Sequence, residues 1–200
     1  MMKKLYIFFF IFSPMLIHAQ FTKDHLLYVD YGISAGNYIG GEVHLNYIHK
    51  QKLSLQIGFY DLQRKDLLRP ENYNGGPVSI FYLGESNPKD KLKSYSFLVG
   101  KILPYKGYQK ARWNLRAGLT YSSFKEPINY IEIDSGLFGA NYTFEYEKSK
   151  VFGVIIKPEL EVAFFKNIGT GLSGIVCYNE KTIHVGLELV FKFGFVGASK

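Results

Sequence analysis

The stretch Ile183–Phe195, IHVGLELVFKFGF, alternates between apolar residues and polar or small residues almost without interruption. All of its odd-numbered positions are apolar. The even-numbered positions are His184, Gly186, Glu188, Val190, Lys192 and Gly194. All of these are polar or small except Val190. A period of two separates the two sets onto opposite faces of a β-strand, whereas a helix with its period of 3.6 cannot separate them. The stretch is therefore predicted to be a strand with one apolar face.

Seven further segments alternate in the same way, at residues 27–34, 42–47, 53–59, 94–100, 112–121, 152–164 and 168–176. A tilted strand needs ~9–11 residues to cross a bilayer, and these segments match that scale. Their apolar faces carry aromatic residues that are candidates for interfacial girdles: Tyr31, Tyr47, Phe59, Tyr95, Trp113, Tyr121, Phe164, Tyr178 and Phe195. A membrane-spanning barrel is predicted. The alternative is a secreted sandwich or lipocalin-like barrel, which also alternates.

Composition excludes several other classes. With 47% apolar and 20% charged residues in 200, the chain is not of the disordered type. A single cysteine, Cys177, excludes an internal disulfide framework and any CxxC metal site, and we interpret it as an inert interior thiol. The net charge of +7 is spread along the chain and gives no nucleic-acid signature.

The first nineteen residues have the order of a secretory signal peptide. Lys3 and Lys4 precede an apolar run from Leu5 to Ile17, and Ala19 is a small residue at the expected cut. The run is shorter than the ~20 apolar residues that a transmembrane helix needs. We expect residues 1–19 to be removed and residues 20–200 to form one barrel domain. An uncleaved anchor helix is the alternative.

The spacing of the segments predicts which connections share an end of the barrel. Eight strands with both termini in the periplasm put short turns there, at His49–Lys52, Pro104–Lys110 and Lys166–Asn167. The outer loops are then Ala35–Gly41, Gln63–Lys91, Ser123–Lys150 and Asn179–Lys181. Long outer loops with short inner turns are typical of outer-membrane barrels.

Three details of the chain leave the strand pattern open. A ten-strand barrel, which counts Val78–Leu83 and Tyr130–Asp134 as strands, is the alternative count. Tyr142, Phe144 and Tyr146 keep the parity of Phe152, so the sixth strand is expected to continue outward. Pro158 lacks an N–H group inside a predicted strand and is expected to mark a bulge.

The signal peptide, the alternation and the closing stretch Val185–Phe195 resemble the small eight-stranded outer-membrane barrels of the OmpA/OmpX type, over about residues 26 to 195. The closing stretch is similar to the barrel-assembly signal of such proteins. The resemblance implies an all-β, single antiparallel up-and-down transmembrane barrel in the outer membrane of a Gram-negative bacterium. It also implies contact with outer-membrane lipid and with the barrel-assembly machinery.

The inward faces of the predicted strands carry acids, bases and histidines in near balance. They are expected to form a lumen charge network of mutually neutralised side chains, because an unpaired charge in a narrow lumen is costly. Its members are Asp30, Glu42, His44, Arg112, Arg116, Lys157, Glu159, Glu161, His184, Glu188 and Lys192.

No catalytic, cofactor-binding or metal-binding residues are predicted; apart from the weak pair His44 and His49, no two histidines lie at metal-ligand spacing with carboxylate support. His184 is the only histidine near the outer rim, and the sequence around it offers no nucleophile pattern. We expect a non-enzymatic structural or surface-interaction role, with any surface ligand bound by the outer loops and no nucleic-acid partner. The alternatives are an outer-membrane lipid-modifying enzyme and a narrow transport or assembly accessory.

Overall fold

The computed structural model describes residues 24–76, 87–108, 110–134 and 139–197. They form eight strands: β1 (His25–Gly36), β2 (Ile39–His49), β3 (Leu53–Lys65), β4 (Lys89–Pro104), β5 (Ala111–Glu132), β6 (Tyr142–Ala163), β7 (Ile168–Asn179) and β8 (Ile183–Gly194). Each strand pairs antiparallel with the next, and β1 pairs with β8, so the sheet closes into an up-and-down barrel. The predicted all-β barrel of eight strands is confirmed. Within the described ranges, no helix is long and apolar enough to cross a membrane.

The ten-strand alternative is wrong. Tyr130–Glu132 is the end of β5 and pairs with β6 across Ile131 and Thr143, so it is not a separate membrane strand. The other segment of that alternative, Val78–Leu83, lies outside the described residues, as does the predicted signal peptide. The ring of eight strands is already closed without it.

Alternate side chains along each strand point to opposite sides of the barrel wall. In β8, Leu187, Leu189 and Phe191 are 63%, 50% and 51% exposed, whereas Glu188 and Lys192 between them are fully buried. The other strands repeat this pattern, which wraps the barrel in an apolar outer surface and gives it a polar interior. An exposed apolar belt of this extent marks a surface that contacts lipid.

The two ends of the barrel differ in their connections. At one end lie the start of β1, the end of β8 and three short turns, among them a tight β2–β3 turn in which Lys50 and Gln51 both have positive φ. At the other end lie a two-residue connection, a three-residue connection, the β3–β4 loop of residues 66–88 and the tip of the β5–β6 hairpin. We call these the terminal end and the loop end. Their arrangement matches the predicted grouping of connections.

The predicted loop Ser123–Lys150 is corrected by the structure. Ser123–Glu132 and Tyr142–Lys150 continue β5 and β6, and only residues 133–141 connect them. The expected outward continuation of the sixth strand is therefore confirmed. Beyond the apolar belt the two strands still satisfy each other's backbone hydrogen bonds, so the ladder persists where the apolar alternation fades.

The bulge expected at Pro158 is absent. Pairing of β6 with β7 is interrupted beside Pro158, but Ile156 opposite Val176 and Glu159 opposite Ser173 keep one register. The register shift instead falls between Ile128 and Ile131 in β5. Pro158 points outward opposite Leu115 of β5 and is accommodated without an extra residue.

Candidate functional site: the charged interior of the barrel

Small inward residues make room for long charged side chains in the barrel interior. A Cβ atom at Gly32 would lie 2.8 Å from Glu42 Oε1, and one at Gly100 would lie 2.6 Å from Cγ of Arg116. Glycine at these positions therefore leaves the space that the neighbouring charged groups occupy. The charges are packed as interior filling, as expected in a barrel of eight strands.

The first group of interior charges, the arginine cluster, lies toward the terminal end. It contains Arg112, Arg116, Glu159, Glu161 and Lys192. Arg116 donates to Glu159 at 2.5 Å and to Glu161 at 2.7 Å, and Arg112 donates to Glu161 at 2.7 Å. Lys192 lies 2.7 Å from Glu159 and 3.5 Å from Glu161. Two carboxylates thus hold three cations.

Two neutral side chains that the predicted charge network did not include complete the arginine cluster. The Tyr28 hydroxyl and the Asn114 amide both donate to Glu161 Oε1, at 3.0 Å and 2.7 Å. Both positions have inward parity in their strands, so the alternation alone could have placed them in the lumen.

The second group, the histidine cluster, contains Asp30, Glu42, His44, Lys157 and Glu188. His44 Nδ1 lies 2.6 Å from Asp30, and its Nε2 lies 3.9 Å from Glu42. Lys157 Nζ lies 2.6 Å from Glu188 and 3.4 Å from Glu42. Three carboxylates thus surround one lysine and one histidine.

Lys192 joins the two clusters, because its Nζ also lies 3.5 Å from Asp30. The structure therefore brings ten of the eleven predicted network residues into one connected set of ion pairs. The ion pairs reach across the lumen: Lys157 is on β6, whereas Glu42 is on β2 and Glu188 is on β8. Opposite sides of the wall are thereby tied together by charge.

The eleventh predicted residue, His184, lies apart near the loop end. Its Nδ1 is 2.9 Å from Asn37 Oδ1, and its Nε2 is 3.3 Å from Ser34 Oγ. A serine, a histidine and an orienting amide in this order have the connectivity of a hydrolytic triad. Sequence reasoning missed Ser34 and Asn37 because they are some 150 positions from His184 and meet it only across the β1–β8 seam.

Apolar clusters seal both ends of the charged interior. The terminal-end cluster contains Leu26, Tyr28, Ile48, Ile102 and Val196. The loop-end cluster contains Tyr38, Tyr60, Leu62, Leu92, Leu98, Phe124, Ile155, Ile175 and Cys177. A cavity of about 10 Å³, the size of one water molecule, remains among Tyr60, Thr120 and His184. In the described parts of the chain no group of His, Cys, Asp and Glu is arranged to hold a metal ion.

An aromatic cluster covers the outward face of the β5–β6 hairpin beyond the apolar belt. The ring centroid of Tyr130 lies 5.6 Å from that of Phe144 and 6.4 Å from that of Tyr142. Tyr142 stacks on Tyr73 of the β3–β4 loop, with their ring centroids 6.3 Å apart. Tyr130 also donates a hydrogen bond to Asp66 at the start of that loop. Phe138 lies outside the described residues.

The register shift in β5 explains how Tyr130 reaches this cluster. Before the shift, even-numbered residues of β5 point inward, whereas after it Ile131 faces Thr143 and Tyr130 moves to the outward face. The shift surrounds Asn129, whose φ of 55° lies in the left-handed region that asparagine tolerates.

No protein-family model and no curated protein sequence matches this chain. Among solved structures it is similar to the N-terminal β-barrel domain of OprF from Pseudomonas aeruginosa, at 13% identity and a TM-score of 0.50, over 86% of this chain and 98% of that one. It is also similar to Ail of Yersinia pestis, alone and in complex with the heparin analogue sucrose octasulfate, at 11% and 13% identity and a TM-score of 0.49, over 85% of this chain and 96% of each. The chain has the fold of the eight-stranded outer-membrane β-barrels of the OmpA/OmpX type.

Proposed function

We propose that this protein is a closed, non-enzymatic β-barrel of the Gram-negative outer membrane. Its role is structural or one of surface interaction through the loop end. We further propose that the barrel-assembly machinery inserts it, using the alternating β8 (Ile183–Gly194) as the recognised strand. The outward apolar belt and the similarity in fold to outer-membrane barrels support this location.

The observation that carries the proposal is the filled lumen. Charges of both signs cross the interior in one connected network, and apolar clusters cap it at each end. Moving an ion through such an interior would require breaking buried ion pairs, which costs several kcal/mol per pair broken. The barrel is therefore expected not to conduct as a porin does.

Reconstitution of the full-length protein in a planar lipid bilayer tests this. Folding is first verified by heat-modifiable gel mobility. Folded protein should insert without stable, large, porin-like conductance. Such conductance from the purified monomer would contradict the sealed lumen. It would favour the transport alternative, with a wider lumen than the one described here.

The aromatic cluster at the loop end supports a surface-interaction role. Tyr73 stacks on Tyr142, and Tyr130 contacts both Tyr142 and Phe144. Asn72 of the β3–β4 loop accepts hydrogen bonds from Asn141 and Tyr142, and Tyr73, Tyr142 and Phe144 are partly exposed. Partly exposed, preorganised aromatic side chains are frequent contact residues in protein interfaces.

A second candidate function is hydrolysis at Ser34, and a specific observation favours it. Asn37 Oδ1 accepts from His184 Nδ1, which leaves Nε2 free to take the Ser34 hydroxyl proton at 3.3 Å. Ser34 is fully buried, however, and Tyr38 packs edge-on against His184 at 5.6 Å. A lipid ester has no path to the hydroxyl in this arrangement, so the non-enzymatic role is the better supported of the two.

Labelling with a fluorophosphonate probe separates the two candidates. The folded protein should remain unlabelled, with the same background as Ser34→Ala. Labelling of the folded protein that is abolished by Ser34→Ala would establish a reactive serine and favour the lipid-modifying enzyme.

A further inference from the structure

Four aromatic side chains form one row across the outward faces of β3 to β6. Phe59 is opposite Tyr95, Tyr95 is opposite Tyr121, and Tyr121 is opposite Phe152. Ring centroids of the two outer pairs, Phe59–Tyr95 and Tyr121–Phe152, lie 5.2 Å and 5.0 Å apart. Aromatic girdles of membrane barrels sit at the level where the hydrocarbon meets the headgroups. This row therefore marks the interface nearest the loop end.

Lysines occupy the next outward positions toward the loop end, in a patch that we call the lysine belt. Two residues beyond the aromatic row, Lys93 and Lys150 flank Ser123. Two residues further along, Lys91, Lys125 and Lys148 stand side by side, and Lys65 opposite Lys89 extends the belt. At about 3.3 Å per residue these rows lie roughly 7 and 13 Å beyond the aromatic row along the strands.

Among the described residues, carboxylates neutralise the lysine belt only in part. Its seven members are Lys65, Lys89, Lys91, Lys93, Lys125, Lys148 and Lys150. Asp61 is the single carboxylate in these rows, and it pairs with Lys93 at 3.0 Å. Lys91, Lys148 and Lys150 have no ion-pair partner among the described residues. Lys125 is held over the Tyr146 ring at 3.9 Å.

Placing like charges directly opposite each other destabilises a sheet. Lys125 is opposite Lys91 on one side and Lys148 on the other, so the belt carries this cost twice in one row. An anion bound between the ammonium groups would remove the cost, since it would replace repulsion by charge-assisted hydrogen bonds.

Acidic residues of the same strands lie on the opposite face. Asp90, Glu126, Glu145 and Glu147 occupy the alternate positions, which face the barrel axis. Asp90 pairs there with Arg64 at 2.7 Å, and Glu126 pairs with Lys181 at 3.5 Å. The hairpin walls thus have a basic side toward the surrounding membrane and an acidic side toward the axis.

We propose that the lysine belt is a binding site for the phosphate groups of anionic lipid headgroups in the leaflet that surrounds the loop end. This inference rests on the proposed outer-membrane location. The site's position beside the aromatic row selects a lipid over a soluble anion, because only a membrane headgroup is held at that height and on that side of the wall. Clusters of four to eight lysines beside a membrane surface are typical of anionic-lipid recognition.

Titration of the folded, full-length barrel in neutral detergent micelles tests the proposal. The probes are lipid A with both phosphates and the same lipid after enzymatic dephosphorylation, and the apparent Kd is measured for each. The variant Lys91→Gln/Lys125→Gln/Lys148→Gln should bind the phosphorylated lipid on the order of 100-fold more weakly, since each lysine near an anionic surface contributes roughly fivefold. The corresponding triple arginine variant should retain binding.

A matched control removes the same charge at the terminal end, in Lys52→Gln/Lys101→Gln/Lys106→Gln. It should bind phosphorylated lipid A as the wild type does. Inorganic phosphate at constant ionic strength should not compete, and competition by it would point to a free-phosphate site instead.

Equal affinity of the folded wild type for both lipids, or equal affinity of the wild type and the belt variant, would overturn the proposal. So would a belt variant that loses binding to a sulfated polysaccharide but keeps its lipid affinity. Heat-modifiable mobility is recorded for every protein. A wild type that never folds in micelles or vesicles would contradict the proposed membrane barrel rather than the lipid site.

Discussion

Replacing Glu161 by glutamine should strongly destabilise the barrel, because it breaks the arginine cluster. Its carboxylate accepts from Arg116 and Asn114 at 2.7 Å and from Tyr28 at 3.0 Å through Oε1, and from Arg112 at 2.7 Å through Oε2. Glutamine removes the negative charge of Glu161 and places an NH₂ group, itself a donor, against the surrounding hydrogen-bond donors. Breaking a buried ion pair on one side costs about 3–5 kcal/mol, and we expect Glu161→Gln to fall in that range.

Urea-induced unfolding in phosphatidylcholine vesicles measures this loss. The chain contains one tryptophan, Trp113, on the outward face of β5 and 39% exposed, so its fluorescence reports transfer from lipid to water. Glu147→Gln, at an exposed position of the outer hairpin, is the matched control. Its free energy of unfolding should stay within about 0.5 kcal/mol of the wild type.

A second substitution distinguishes charge imbalance from simple loss of packing. Adding Arg112→Gln to Glu161→Gln removes one of the uncompensated cations and should recover part of the lost stability. A Glu161→Gln variant within about 1 kcal/mol of the wild type would refute the reasoning. It would mean that the guanidinium groups are satisfied by water in the lumen rather than by the carboxylate.

Leu187→Arg puts a charge on the lipid-facing side of β8 and should cost about 2–4 kcal/mol in the same urea assay, whereas Glu188→Arg should act through the lumen and be partly rescued by Lys157→Glu. Equal effects without rescue would contradict the assigned faces. Tyr130→Phe removes the hydrogen bond to Asp66 and should increase chymotrypsin cleavage in the β3–β4 loop about tenfold, because a hydrogen bond to a charged group contributes about 1.5–3 kcal/mol. Burial and that hydrogen bond raise the pKa of Tyr130, so this contribution is full below about pH 10 and is lost as the pH rises further; unchanged cleavage across that range would contradict it.

The sequence alone predicted which side chains of each strand point outward and which point into the lumen. In β8 the alternation alone assigned Leu187 outward and Glu188 inward, and the structure places both so. The reason is physical: lipid on one side and a crowded polar lumen on the other impose opposite requirements on successive residues.

The sequence was less informative where those requirements relax. The aromatic parity of Tyr142 to Tyr146 predicted the outward continuation of β6, but the outer part of β5 was assigned to a loop, because side chains beyond the membrane can be polar on both faces while the backbone ladder continues. Pro158 suggested a bulge that the structure does not contain, since its outward position leaves the register intact. The shift near Asn129 has no strong local signature and was missed.

The interior illustrates the same limit. Parity could say which charges enter the lumen, but not which of them meet. Whether Lys157 reaches Glu42 or Glu188 depends on the stagger of strands that are 115 and 31 positions away, and on the glycines that clear the path. The association of Ser34 with His184 is of the same kind, because it requires the β1–β8 seam to close in one particular register.

The cross-lumen ion pairs also determine the register in which the β1–β8 seam closes. Sliding one strand by two residues preserves every inward and outward assignment, so the apolar pattern cannot tell the correct barrel from a slipped one. The charges can distinguish the two barrels, because a shift of about 6.6 Å would break the ion pairs of Lys157 with Glu188 and of Arg116 with Glu159. The interior ion pairs therefore form at only one stagger of the strands. They thereby fix the diameter and tilt of the barrel as β8 closes against β1.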